Sequence, residues 1–150
     1  MLEILSHSSR ETKKNAKILA AEILSRSFKP SALVIGLSGD LGAGKTTFIQ
    51  GFAKGLGIKN KVLSPTFVIF KRFKIHDSRF KNLYHIDCYR LRKPKELLDL
   101  GFEEIINNPR NIVLIEWADK IKKILPKKTI RIEFEYGKKE NERKITAKLK

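Results

Sequence analysis

The stretch Gly39-Asp40-Leu41-Gly42-Ala43-Gly44-Lys45-Thr46-Thr47 constrains the fold of this chain more than any other. It has the form G-x4-G-K-S/T of a phosphate-binding loop, whose glycines let the backbone curl until successive amide N–H groups converge on an anion. Such a loop needs a strand before it and a helix behind it, and both are written into the sequence. Leu33-Val34-Ile35-Gly36-Leu37 reads as a buried strand, apolar on both faces as in a parallel sheet covered by helices. Phe48, Ile49, Phe52, Ala53 and Leu56 fall on one side of a following amphipathic helix, expected to end near Gly57. In this setting Lys45 reaches the β- and γ-phosphates of a nucleotide, and Thr46 offers its hydroxyl to Mg²⁺. The opening helix aims its positive end at the phosphates.

The remaining chain supplies elements for an α/β domain. Leu2 to Leu5 suits a short strand. Ser8-Ser9-Arg10-Glu11 has capping-box spacing, and Ala16, Leu19, Ala20, Ile23 and Leu24 continue at helical intervals until Pro30. Val68-Ile69-Phe70 with Phe73 and Ile75 forms one alternating run. Phe80 to Asp87 forms another, and the polar turn His76 to Arg79 joins them as a hairpin. Lys95 to Leu100 is helical in pattern, Glu103 to Ile106 a further turn, and Asn111 to Glu116 a buried strand ending on an acid. A short helix is expected around Ile121 to Leu125. Ile130, Ile132, Phe134 and Tyr136 then alternate with charged residues, and a partner strand carries Ile145, Ala147 and Leu149. The expected architecture is a three-layer α/β fold of the phosphate-loop NTPase type, with a mainly parallel central sheet and antiparallel edge strands.

Length and composition fit one domain, residues 1–150: 41% of the 150 residues are hydrophobic, enough for a single core, and no composition break divides the chain. No run of about 18 apolar residues exists and the N-terminus lacks a secretory pattern, so a cytoplasmic protein without a membrane association is expected. Cys88 is the one cysteine, and with three scattered histidines it gives no zinc spacing. The net charge of +16 lies mostly in residues 71–95 and 120–150. It attracts nucleic acid or an acidic protein surface through long-range fields, or it forms a solvated lysine face; no aromatic ladder turns it into a base-reading surface.

A triphosphate site also needs a carboxylate at the end of a strand beside the loop, and a group to position the nucleophile. Glu116 ends the apolar run Ile112 to Ile115, and Asp87 ends Leu83 to Ile86. Spacing alone does not say which strand adjoins the loop. Thr66 after Pro65 reads either as a switch threonine or as a cap, and Trp117 either as core or as an aromatic at the site. Arg90 and Arg92 are compatible with stabilising transferred-phosphate charge, though exposed arginines near a hairpin are common.

The loop through Phe48, Ser64-Pro65-Thr66-Phe67, His85-Ile86-Asp87-Cys88-Tyr89-Arg90-Leu91 and Ile115-Glu116-Trp117 occur in one order. Together they resemble the TsaE family, small bacterial ATPases required for threonylcarbamoyladenosine in tRNA, over nearly the whole chain. The resemblance implies that Asp40, Leu41, Gly42, Ala43, Gly44, Lys45, Thr46 and Thr47 hold ATP, and that Ser9 and Thr12 approach the adenine. It implies Mg²⁺ at Thr46 and Glu116, and essential roles for Thr47, Asp87, Glu116 and Trp117. It further implies TsaD and TsaB as partners, with ATP hydrolysis resetting their complex. Ala118 departs from the proline common in the family.

Two other classes compete on the residues alone. A small-molecule or nucleoside kinase would use the same loop, and a nucleotide-gated RNA-binding module would use the charge. A GTPase is disfavoured because Asn60-Lys61-Val62-Leu63 lacks the aspartate of a guanine-reading N-K-x-D motif.

Overall fold

A computed structural model describes residues 1–25, 30–63 and 69–148. In chain order the elements are β1 (Leu2–Ser6), α1 (Ser9–Leu24), β2 (Leu33–Gly39), α2 (Lys45–Gly55), β3 (Phe70–Lys74), β4 (Asn82–Asp87), α3 (Pro94–Leu98), α4 (Phe102–Asn107), β5 (Asn111–Glu116), a 3-10 helix (Ala118–Ile124), β6 (Ile130–Tyr136) and β7 (Arg143–Lys148).

The seven strands form one mixed sheet in the order β1-β7-β6-β2-β5-β4-β3. Its middle, β6-β2-β5-β4, is parallel, while β7 and β1 on one side and β3 on the other run antiparallel to their neighbours. The expected α/β layering is present. Along β2, Ile35 and Leu37 face a core with Phe48, Ile49 and Phe52 of α2 and Ala16 and Ala20 of α1. Val34 faces the opposite core with Phe102, Ile105 and Ile121. A strand buried on both faces has no polar side to alternate, hence its continuous apolar run.

Local chemistry explains the boundaries. Ser8 caps α1, its hydroxyl accepting from the Glu11 amide at 3.1 Å, while the Glu11 carboxylate accepts from the amide of His7 at 3.0 Å. α1 and α2 pack closely because Gly51 and Gly55 present no side chain: a Cβ at Gly51 would lie 2.3 Å from the Lys13 carbonyl oxygen. The hairpin turn is held by Asp77, whose carboxylate accepts from the amides of Arg79 (2.8 Å) and Phe80 (3.3 Å). Those bonds keep its pKa below the ordinary value.

Several boundaries differ from the sequence reading. α3 covers Pro94–Leu98 rather than Lys95 to Leu100, and the segment read as a turn is the helix α4, while α2, Lys45–Gly55 with Leu56 as its C-cap, ends near Gly57 as expected. The expected helix around Ile121 begins earlier, at Ala118, as a 3-10 helix. Val68, Leu149 and the Ser64 to Phe67 block with Thr66, expected in strands and at a switch or cap, lie outside the described residues. Among the described residues no helix is long and apolar enough to cross a membrane.

Candidate nucleotide site

β2 ends at Gly39, and the chain turns through Gly42 (φ 78°) and Gly44 (φ 107°) into α2. Gly44 is the N-cap of α2 and offers no side-chain cap, so no side chain covers the helix N-terminus from that position. Gly39 is also needed for space, since a Cβ there would sit 2.5 Å from the carbonyl oxygen of Phe134. Ala43 is buried as the loop's inner wall, its amide donating to the Asp40 carbonyl at 3.0 Å, and Leu41 stands exposed at the tip.

Lys45 is buried, and its ammonium donates to the carbonyls of Gly39 and Asp40, the latter at 3.0 Å. Burial lowers its pKa from the ordinary lysine value, against the pull of Glu116, Asp119, Asp40 and Asp87. Its Nζ lies 4.1 Å from the centre of the Trp117 ring. Trp117 is the one non-glycine described residue with positive φ, 58°, a conformation that turns the chain from β5 into the 3-10 helix. Tyr89 packs on it with ring centroids 5.1 Å apart.

The parallel register answers which acid adjoins the loop. Leu37 of β2 pairs with Glu116 of β5, and Glu116 with Asp87 of β4, so the three strand ends stand side by side. Glu116 is buried; its Oε1 accepts from the Thr46 hydroxyl at 2.7 Å, and its Oε2 lies 2.6 Å from Nε2 of His85. Asp87 accepts from the amide of Tyr89 at 2.9 Å. Burial raises its pKa above the ordinary carboxylate value, and the charge of Glu116 adds to this. A cavity of about 310 Å³ lies between the loop, Thr47, Asp87, Tyr89, Glu116 and Trp117.

Hydroxyl and carboxylate oxygens 2.7 Å apart suit a hard, oxygen-preferring cation such as Mg²⁺. The described residues contain no cluster of three His, Cys, Asp or Glu side chains able to hold a metal alone. A cation here would therefore share its shell with phosphate oxygens. Ser9 and Thr12, at the start of α1, do not line this cavity: Ser9 is exposed, and the buried Thr12 hydroxyl is 2.7 Å from that of Ser6. Arg90 and Arg92 are exposed.

Three residues at the site were not singled out from sequence. Tyr136 donates to the Leu41 carbonyl, and Arg143 donates to that of Gly42 at 3.4 Å, so the β6–β7 hairpin props the loop from behind. His85 underlies Glu116. Its signal was the alternation Leu83-His85-Asp87, which puts it on the face of Asp87.

Strand, glycine loop, helix and an acid on the adjoining parallel strand define a nucleotide-binding protein of the phosphate-loop class. The family model described as threonylcarbamoyl adenosine biosynthesis protein TsaE matches residues 6–145, and the chain belongs to that family. It is 41% identical over 133 residues to the tRNA threonylcarbamoyladenosine biosynthesis protein TsaE of Rickettsia felis, covering 88% of this chain and 71% of the relative. With the Bacillus subtilis protein of the same name the identity is 42% over 136 residues, covering 91% and 78%. The crystal structure of Bacillus subtilis YdiB superposes with a TM-score of 0.76 at 35% identity, covering 99% of this chain and 84% of that one. TsaE proteins are involved in the biosynthesis of threonylcarbamoyladenosine in tRNA.

Proposed function

We propose that this chain is a cytoplasmic, Mg²⁺-dependent ATPase of low intrinsic rate. Hydrolysis would reset the TsaD–TsaB complex during threonylcarbamoyladenosine formation. The observation that carries the reading is the 2.7 Å contact between the Thr46 hydroxyl and Glu116 at the mouth of the phosphate loop. That pair supplies the oxygen donors a nucleotide-bound cation requires, and the cation when bound would neutralise charge on the phosphates.

The amides of residues 40–46 bind the phosphates, and Lys45 exchanges its loop carbonyls for phosphate oxygens. Glu116 and Thr46 face the cation. Asp87, half-buried beside Glu116 with its pKa raised, orients water and accepts its proton. Thr47 and Trp117 bound the reacting end of the nucleotide, and the base would extend from the phosphate cavity toward the start of α1, where Ser9 and Thr12 stand. The net charge of +16 favours approach to a complex that carries tRNA.

ATP hydrolysis by the purified protein, alone and with TsaD and TsaB, tests this alongside Lys45→Ala and Glu116→Ala. Weak activity raised by the partners and lost in both variants is expected. Partners that neither bind nor alter turnover would overturn the assigned role.

A further inference from the structure

His85 is fully buried in the middle of β4, and its two ring nitrogens have opposite fates. Nε2 lies 2.6 Å from Oε2 of Glu116, whereas Nδ1 is buried and meets no partner among the described residues. A carboxylate only accepts hydrogen bonds, so the Nε2–Oε2 bond carries its hydrogen on Nε2. Burying Nδ1 without a partner is unfavourable, and a leucine at the same place would avoid it. The bond to Glu116 is what distinguishes histidine from an apolar residue here.

That bond fixes a rotation. The carboxyl group of Glu116 sits buried at the end of β5, where its terminal torsion is set by its two hydrogen-bond partners, His85 and Thr46. With Oε2 held from below by His85, Oε1 is directed at Thr46. Register makes the arrangement possible: His85 pairs with Leu114 and Asp87 with Glu116, so His85 reaches Glu116 diagonally along the same sheet face.

We propose that His85 is a positioning residue, holding Glu116 in the orientation that receives the nucleotide-bound Mg²⁺. This rests on the magnesium-nucleotide reading above, and predicts that His85 sets cation affinity without touching nucleotide.

The test measures binding of the imido analogue of ATP by calorimetry, first in EDTA and then across a magnesium titration, for the full chain. His85→Leu is expected to bind the analogue in EDTA within about twofold of the unaltered protein, yet to need about 10- to 100-fold more magnesium for tight binding. His85→Gln, whose amide nitrogen reaches as far as Nε2, should restore the magnesium midpoint; His85→Asn, which reaches only as far as Nδ1, should not. A merely structural histidine would lower the melting temperature of all three and leave the midpoint unmoved. An unshifted midpoint in His85→Leu, equal behaviour of the Gln and Asn variants, or failure of all three to fold would overturn the proposal. Analogue binding indifferent to magnesium in the unaltered protein would instead remove the magnesium reading itself, and the proposal with it.

Discussion

The ammonium of Lys45 rests 4.1 Å from the centre of the Trp117 ring while donating to the carbonyls of Gly39 and Asp40. The lysine that should grip phosphate is thus held by its own loop and an aromatic neighbour. Trp117 is the single tryptophan of the chain. Binding of ADP or ATP should draw the ammonium away from the ring and change tryptophan emission. Lys45→Met should alter the resting emission and weaken nucleotide binding about 10- to 100-fold, the scale of one lost charge-assisted contact. An emission spectrum that ignores saturating nucleotide would contradict this.

Asp87 carries a sign that can be checked by melting. Burial raises its pKa, so the folded state holds the proton more tightly than the unfolded chain does. Its contribution to stability is greatest at acid pH and falls as pH rises from the ordinary carboxylate value through the raised one. Asp87→Asn removes the penalty of ionising there. The variant should melt a few degrees higher than the unaltered protein at neutral pH without nucleotide, with the gain vanishing in acid. Hydrolysis should be lost in the same variant.

The contact between α1 and α2 depends on missing side chains. A Cβ at Gly51 would lie 2.3 Å from the Lys13 carbonyl oxygen and 2.5 Å from its Cα. Alanine gains about 1 kcal/mol in helix propensity, but forcing backbones apart in a packed interface costs more. Gly51→Ala should therefore destabilise by about 1–3 kcal/mol in urea unfolding. An unchanged midpoint would show that the helices separate freely.

Cys88, beside Asp87, is fully buried, and burial pushes its thiol up to about 12. At pH 8 only about one molecule in ten thousand would carry the reactive thiolate. Labelling by an aromatic disulfide should be at least about 1,000-fold slower in native protein than in denaturant, because reaction waits on opening. Saturating nucleotide should slow it further, and prompt labelling of native protein would refute the buried placement.

The loop was legible because its chemistry is local: Gly39 to Thr47 must lie between a strand and a helix wherever they occur. Glu116 and Asp87 were legible as candidates but not as neighbours of the loop, because their placement depends on strand order, which spacing along the chain does not encode. Parallel pairing of Leu37 with Glu116 joins residues far apart in sequence, and only the assembled sheet shows it. Metal-ligand spacing does not reveal His85, because its partner lies 31 residues on in the chain, on the neighbouring strand β5. Helix ends were read less well than helix cores. Gly57, with φ 81°, closes the C-terminal turn of α2, its amide donating to the Lys54 carbonyl at 3.0 Å, and Gly101, with φ 88°, breaks the chain between α3 and α4 as expected, whereas α3 stops at Leu98 and the turn read from Glu103 is the helix α4.

The position of β3 gives part of the basic charge an architectural meaning. It is the outermost strand on its side of the described sheet, and Lys71, Arg72 and Lys74 are all exposed along it. An edge strand with open backbone groups invites another molecule to add its own strand, and a row of like charges opposes that encounter. Here the lysines and arginine act as a guard against self-assembly, keeping a sheet with open sides from becoming a template for aggregation.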